Sequence, residues 1–236
     1  MQSFELLDLA ARHGAEQVAF SADDVTGLRA IVAIHSTVLG PGLGGTRFYP
    51  FASERDALVD VLRLAKGMAY KHAVCGNDLG GAKAVIIGDP RTTRTDELIV
   101  AYAKLVNRLG GRYLTAEDVG TTQADMDLIR TITPHVTGVS ESLGGSGDPS
   151  PATAWGVVHA MRAVAERLWG DPTLQGRHVA IAGVGKVGGA LATGFVREGA
   201  QVVAYDLEVS VSRVELVEGV RRRRRLAAAE RVPDDA

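Results

Sequence analysis

The chain has 236 residues, 46% of them hydrophobic and 28 of them glycine, which is typical of an α/β protein with many tight turns and one or two domains. Its net charge of −2 gives no reason to expect a nucleic-acid or membrane partner. The single cysteine, Cys75, excludes an internal disulfide, favours a cytoplasmic location and is expected to be a small buried hydrophobic residue.

The N-terminal part of the chain predicts two strands and a long helix. Residues 18–20 and 28–34 predict strands joined by an Asp-Asp…Gly turn. Ser53 predicts the N-cap of a helix over residues 54–68, because apolar residues recur along one face of that segment. This prediction places Lys71 just beyond the end of the helix.

Strands and helices continue to alternate in the next part. The apolar run 84–87 predicts a buried strand, and residues 96–109 predict an amphipathic helix ended by two glycines. Residues 113–115 predict another strand, and Thr121 or Thr122 is placed to cap a short helix that follows.

A cluster of glycine, serine and proline over residues 144–151 predicts a linker between two domains. After it, a helix is expected to run to about Trp169. A strand (179–182), a glycine-rich turn, a helix (189–198) and a second strand (202–205) then follow in order.

That turn carries the pattern Gly-x-Gly-x-x-Gly in the context of a dinucleotide-binding unit, since it follows an apolar strand and opens a helix. Asp206 ends the next strand, where it would hydrogen-bond a ribose 2′-hydroxyl and repel a 2′-phosphate, so NAD is favoured over NADP. The alternative is a glycine-rich turn in another kind of βαβ unit. The turn residues predicted to bind the cofactor are Gly183, Val184, Gly185, Lys186, Val187 and Gly188.

Two lysines, Lys71 and Lys83, lie in a stretch framed by glycines. Lys83 directly follows Gly80-Gly81-Ala82 and precedes the apolar run, so its amine is expected to lose hydration. Desolvation and a second nearby ammonium both disfavour the charged form, which would leave an amine able to react near neutral pH. The alternative is two ordinary surface lysines, which would have no need of the neighbouring glycine pairs.

Several motifs in order give the chain a resemblance to a known family. They are GPGLGGTR (40–47), GMAYK (67–71), GGAK (80–83), TAEDVGTT (115–122) and PSPATAWG (149–156). With these motifs the chain resembles the amino-acid dehydrogenases, the family of the glutamate, leucine, valine and phenylalanine enzymes, and it is most similar to the valine and leucine enzymes.

The resemblance implies a two-domain α/β fold. Residues 1–139 would form a substrate and dimerisation domain with a mixed sheet flanked by helices. Residues 140–236 would form an incomplete Rossmann-type dinucleotide-binding domain. A homo-oligomer in the cytoplasm is implied for the full-length family.

The resemblance also implies NAD-dependent oxidative deamination of a branched-chain or other apolar L-amino acid to its 2-oxo acid and ammonium, a step in branched-chain amino-acid catabolism. Lys71 would hold the substrate carboxylate, and Lys83 would be the catalytic lysine. Asp118 would handle the amino group and its protons, and Thr153 would contact the nicotinamide carboxamide.

The substrate class is expected to depend on Leu43. Glutamate-specific relatives have a lysine at the corresponding position, whereas Leu43 offers only apolar surface, and a substrate carboxylate buried against it would be unpaired. Gly44 and Ala116 would line the same pocket. The six histidines show no ligand spacing with carboxylates or the cysteine, so no metal is expected.

The end of the chain departs from the family. A complete dinucleotide domain has two βαβαβ halves, whereas only 54 residues follow from Gly183 onwards, and the sequence stops resembling the family at about residue 208. A truncated product or a tail read out of frame would explain this. The alternative function is therefore an inactive fragment that at most associates with full-length subunits. A role for Arg221–Arg225 in nucleic-acid binding is less favoured than a solvated basic segment.

Overall fold

A five-stranded mixed sheet forms the centre of the first of two structural units, which divide between Asp148 and Pro149 in the computed structural model. The structure describes residues 5–206 and 220–222. The strands, in the spatial order β1-β2-β4-β3-β5, are β1 (Gln17–Asp23), β2 (Leu28–Ser36), β3 (Gly42–Tyr49), β4 (Gly80–Ile87) and β5 (Tyr113–Glu117).

Helices cover both faces of this sheet. Strand β2 is antiparallel to β1 and β4, whereas β3 is parallel to its neighbours β4 and β5. One face packs against α2, and the other packs against α4 and α5 around the buried Tyr102 and Tyr113. The helices of this unit are α1 (Leu6–Arg12), α2 (Glu54–Cys75), α3 (Pro90–Thr93), α4 (Asp96–Arg108) and α5 (Gln123–Arg130).

Helix α2 extends further than the sequence pattern predicts. Ser53 caps it as expected, by accepting a hydrogen bond from the Asp56 backbone N–H, but the helix continues past residue 68 to Cys75. It ends where Gly76 adopts a left-handed conformation with φ of 68°. The prediction that Lys71 lies beyond the helix is therefore wrong. The prediction that Cys75 is buried is also wrong, because the last turn of α2 leaves it exposed.

Strand β3 is not predicted by its sequence, because glycine has a low preference for strands. In the structure its glycines are required by the neighbouring backbones. A Cβ on Gly44 would lie 1.7 Å from the Ala82 carbonyl oxygen. A Cβ on Gly80, where β4 begins four residues before the predicted strand, would lie 2.0 Å from the Ser36 carbonyl oxygen. Tertiary packing therefore outweighs local preference in both strands.

The second unit has a three-stranded parallel sheet in the order β6 (His178–Ala182), β7 (Gln201–Tyr205) and β8 (Val220–Arg222). Its core joins Ile181 and Val202 of the sheet to Val158 of α6 (Ser150–Trp169) and Phe195 of α7 (Lys186–Arg197). The predicted α/β fold class is confirmed, with the mixed sheet first and the short parallel sheet second. Apart from Val220–Arg222, the predicted tail lies outside the described residues.

Among the helices of residues 5–206, none is both long enough and apolar enough to cross a bilayer.

Close packing of α2 on β4 predicts different effects for two glycine substitutions. A Cβ on Gly81 would lie 2.2 Å from the Ala69 backbone nitrogen, so Gly81→Ala must push α2 away from the sheet. We expect it to lower the free energy of unfolding by about 1–3 kcal/mol. Gly67→Ala is the matched control, because a Cβ there meets nothing within 4 Å and should stabilise the helix by about 1 kcal/mol. Urea denaturation measures both, and equal effects would contradict the packing argument.

Candidate active site

An ion pair between Lys83 and Asp118 connects the middle of β4 to the residue that follows β5. The Lys83 Nζ is 3.0 Å from Asp118 Oδ1, and the lysine side chain is only 6% exposed. Lys83 is on β4, and Asp118 directly follows β5, with β3 between the two strands. The fold therefore brings together two residues that the sequence analysis assigns to catalysis.

Gly45 of β3 makes this approach possible. A Cβ at this position would lie 2.5 Å from the Glu117 carbonyl oxygen and 2.9 Å from the Asp118 Cβ. Because Gly45 has no side chain, Asp118 can lie against β3 and extend toward Lys83. This contact gives the glycine pair at 44–45 a structural reason that the sequence alone does not supply.

Arg47 and Asp60 extend the ion pair, and neither is predicted from the sequence. Arg47 Nε is 3.1 Å from Asp118 Oδ2, and its Nη1 is 2.8 Å from Asp60 Oδ2. One feature of the sequence points to Arg47: it is a charged residue at the end of a glycine-rich motif. It comes two residues after Gly45 and is therefore on the same side of the strand. Asp60, on α2, carries no comparable signal.

Burial lowers the pKa of the Lys83 amine below its ordinary value of 10.5, although the charge and hydrogen bond of Asp118 oppose this change. The charges of Arg47 and Lys71 lower it further. For Asp118, burial favours the neutral acid, but the charges and hydrogen bonds of Lys83 and Arg47 outweigh burial and lower its pKa. The site thus favours an anionic carboxylate beside an amine that loses its proton more readily than usual.

The residues assigned to substrate binding surround the same part of the sheet. Leu43 is half-buried on β3 and pairs in register with Gly81 on one side and Leu114 on the other. Ala116 pairs with Gly45, two residues further along β3 and so on the same face. Gly44 lies between these positions in the strand. Lys71 is exposed on α2, and its charge acts on Lys83.

In the second unit, the predicted cofactor turn joins β6 to the N-terminus of α7. Gly183 has φ of 91°, and a Cβ on Gly188 would lie 1.9 Å from the Gly183 carbonyl oxygen, so both positions favour glycine. Asp206 Oδ2 accepts a hydrogen bond of 2.7 Å from the Val184 backbone N–H. A bare turn ahead of a helix N-terminus suits a pyrophosphate group.

The remaining predicted cofactor residues lie in the same unit. Gly185 is the N-cap of α7, Lys186 is its first residue, and Val187 follows in the first turn. Thr153 is exposed in the first turn of α6, where its hydroxyl donates to the Pro149 carbonyl oxygen at 2.9 Å. Across the described part of the chain, no group of three or more His, Cys, Asp or Glu residues could hold a metal ion.

Comparison with known proteins identifies the family to which the chain belongs. Residues 15–135 match the Glu/Leu/Phe/Val dehydrogenase dimerisation domain, and residues 144–210 match the Glutamate/Leucine/Phenylalanine/Valine dehydrogenase domain. The fold and site thus define a protein of the amino-acid dehydrogenase class. The chain belongs to the Glu/Leu/Phe/Val dehydrogenase family.

Similar proteins include enzymes acting on apolar amino acids. The chain is 54% identical over 200 residues to valine dehydrogenase of Streptomyces coelicolor, covering 85% of this chain and 55% of that protein. It is 49% identical over 207 residues to leucine dehydrogenase of Geobacillus stearothermophilus, covering 88% and 56%. The crystal structure of L-tryptophan dehydrogenase from Nostoc punctiforme matches with a TM-score of 0.66 and 35% identity, covering 92% and 62%. The chain therefore spans a little over half the length of the valine and leucine dehydrogenases it matches.

The lowered pKa of Lys83 predicts a particular dependence of stability on pH. In the range below 10.5 the unfolded chain binds more protons at this position than the folded chain, so the free energy of unfolding should rise with pH. Lys83→Met should remove this contribution. The difference in stability between wild type and variant should therefore change with pH in the range below pH 10.5, measured by urea denaturation. A difference that is constant over this range would show that burial does not shift the amine.

Proposed function

We propose that this protein acts in NAD-dependent oxidative deamination of a branched-chain or other apolar L-amino acid, giving the 2-oxo acid and ammonium. The observation that carries the proposal is the buried Lys83–Asp118 ion pair within a domain of the Glu/Leu/Phe/Val dehydrogenase family. An amine with a lowered pKa and an adjacent carboxylate are the groups that proton transfer at a substrate amine requires.

The roles of the side chains follow from their chemistry. Lys71 is an exposed cation on α2 and would bind the substrate carboxylate through charge-assisted hydrogen bonds. Lys83 in its neutral form would take a proton from the water that attacks the imine, and would then stabilise the oxygen of the resulting carbinolamine. Asp118 would accept and return protons at the substrate nitrogen.

The cofactor assignment rests on the second unit. The chemistry that NAD supplies when bound is acceptance of the hydride from the substrate α-carbon. The residues 183–188 would hold the pyrophosphate, and Thr153 would contact the carboxamide. Asp206 would repel the 2′-phosphate of NADP and so favours NAD. These assignments are supported by the bare turn at the start of α7 and by the position of Asp206 beside it.

An apolar substrate is supported by the side chains on the α2 face of β3 and β5. Leu43 and Ala116 present only carbon atoms there, whereas Gly44, between them along β3, faces the opposite side of the sheet. A glutamate side chain would place a carboxylate against this surface, at a cost of several kcal/mol if it stayed unpaired. The valine and leucine dehydrogenases that resemble the chain agree with this substrate class.

A second candidate function is that of a non-catalytic subunit that associates with other subunits, which the match to a dimerisation domain favours. Residues 15–135, which match the dimerisation domain, would supply that contact, as they would supply the contact of a cytoplasmic homo-oligomer.

One assay separates the two functions. If the proposal holds, the purified chain reduces NAD when L-valine or L-leucine is added, and Lys83→Met lowers this rate by about a hundredfold or more. Lys104→Met is the control, because Lys104 is exposed on α4. Calorimetry should be run on the same samples. Absence of NAD reduction, with or without binding of valine, would contradict catalysis and favour the non-catalytic subunit.

Leu43→Lys tests the substrate class through binding alone. The added ammonium should weaken binding of L-leucine by about tenfold or more and improve binding of L-glutamate, since it supplies a partner for the second carboxylate. Val38→Lys is the control, because it adds the same charge at a position that is 85% exposed. Calorimetric titration with both amino acids gives the ratio. An unchanged ratio in Leu43→Lys would show that Leu43 does not face the substrate.

A further inference from the structure

Arg47 is placed between two carboxylates beside the candidate active site. Its Nε donates to Asp118 Oδ2 at 3.1 Å, and its Nη1 donates to Asp60 Oδ2 at 2.8 Å. The Arg47 side chain is 25% exposed, and that of Asp60 is 30% exposed. Because the guanidinium is planar and contacts two elements through different nitrogens, Arg47 has little freedom to leave Asp118.

The two oxygens of Asp118 have different partners. Oδ1 is 3.0 Å from the Lys83 Nζ, whereas Oδ2 is bound by Arg47. The two contacts therefore do not compete for one oxygen. When Lys83 becomes neutral, its half of the ion pair is lost, but the contact between Arg47 and Asp118 is unaffected. Arginine remains charged throughout the range in which lysine titrates.

We propose that Arg47 is a positioning residue, which holds the Asp118 carboxylate against Lys83 and remains its cationic partner when Lys83 releases its proton. This inference rests on the proposed function, because it assigns Arg47 a part in the proton transfers of Lys83 and Asp118. Asp60 in turn fixes the guanidinium from α2, so that one chain of charged contacts joins α2, β3, the residue that follows β5, and β4.

The charged groups around Lys83 determine whether removing the charge of Arg47 raises or lowers the pKa of Lys83. Asp118 favours the ammonium form of Lys83, whereas Arg47 on β3 and Lys71 on α2 disfavour it. Arg47 also pairs with Asp118, as Lys83 does, and its positive charge therefore offsets part of the attraction between Asp118 and Lys83. Asp56 and Arg63, both on α2, line the open cleft next to Arg47 together with Asp60. Removing the charge of Arg47 should therefore raise the pKa of Lys83 through both routes.

A merely structural role for Arg47 makes a different prediction. If its ion pairs only connect α2 to the sheet, their loss changes stability and leaves the proton affinity of Lys83 as it was. Measuring the reactivity of the Lys83 amine distinguishes these roles, because only the neutral amine reacts with an acylating reagent. This measurement needs neither NAD nor turnover, so it can fail independently of the proposed function.

The experiment is competitive labelling of the whole chain with trace acetic anhydride between about pH 7 and 10, quantified by mass spectrometry of the lysine peptides. The exposed Lys104 serves as the internal reference. In Arg47→Gln, the labelling of Lys83 relative to Lys104 should fall about three- to tenfold at the lower pH values. Arg47→Lys retains a positive charge and should restore the ratio to within about twofold of wild type.

Asp60→Asn is the matched second variant, because it removes the outer carboxylate and keeps the charge of Arg47. It should leave the Lys83 ratio equal to wild type or higher. Circular dichroism shows whether each variant folds. A folded Arg47→Gln with an unchanged ratio would overturn the proposal. If Arg47→Gln does not fold, Asp60→Asn gives the test. A fall of threefold or more in its Lys83 labelling ratio would overturn the proposal, because the effect would then follow from lost packing and not from lost charge.

Discussion

The burial of one lysine amine beside one carboxylate is the constraint on which the rest of the first unit depends. An isolated ammonium taken out of water would cost several kcal/mol, and a buried ion pair that loses one partner typically costs about 3–5 kcal/mol. The fold keeps Lys83 buried because Asp118 lies 3.0 Å away, and it keeps Asp118 in place because Arg47 binds its other oxygen. Burial and pairing act in opposite directions on the amine, and burial is the larger effect. The result is a group that gives up its proton more readily than a surface lysine.

Glycines, which have no side chain, allow Asp118 and α2 to lie close to the strands that carry the site. Gly45 lets Asp118 lie against β3, and Gly81 lets α2 approach β4 until the Ala69 backbone occupies the space of a side chain. Helix α2 carries Lys71 and Asp60, so the same approach brings a second cation and the outer carboxylate toward the pair. Gly45 and Gly81, in two adjacent strands, thus determine the electrostatics of the site through geometry. This explains why a glycine-rich segment forms central strands despite its low preference for them.

Sequence patterns predict the amphipathic and capped parts of the fold well. Helix α4 has an apolar face and a threonine cap, and α5 has a capping box at Thr122, so both are found where they are predicted. The strand, turn and helix around residues 179–198 follow from the same local rules. The end of α2 is not predicted, because its last turn depends on the left-handed Gly76 and not on a change in apolar pattern.

The residues of the site are predicted only in part, because some of them are defined by contacts between distant segments. Lys83 and Asp118 are identified from motifs, and the structure brings them into contact. Strand β3 and Arg47 are missed, since a strand made of glycines is recognisable only from the backbones that enclose it. Asp60 could not be found from sequence, because the local pattern around a carboxylate on a helix surface does not depend on whether an arginine on the sheet contacts it. Contacts between distant segments are the information that local patterns lack.

The most direct test of this account is the titration of Lys83 itself. Nuclear magnetic resonance of the chain labelled with ¹³C at the lysine ε-carbon follows each amine through its change of charge, and Lys83→Met assigns the signal. The midpoint of the Lys83 titration should lie below pH 10.5, the ordinary value for a lysine amine. A midpoint at or above pH 10.5 would show that the ion pair outweighs burial, and would contradict the role proposed for Lys83.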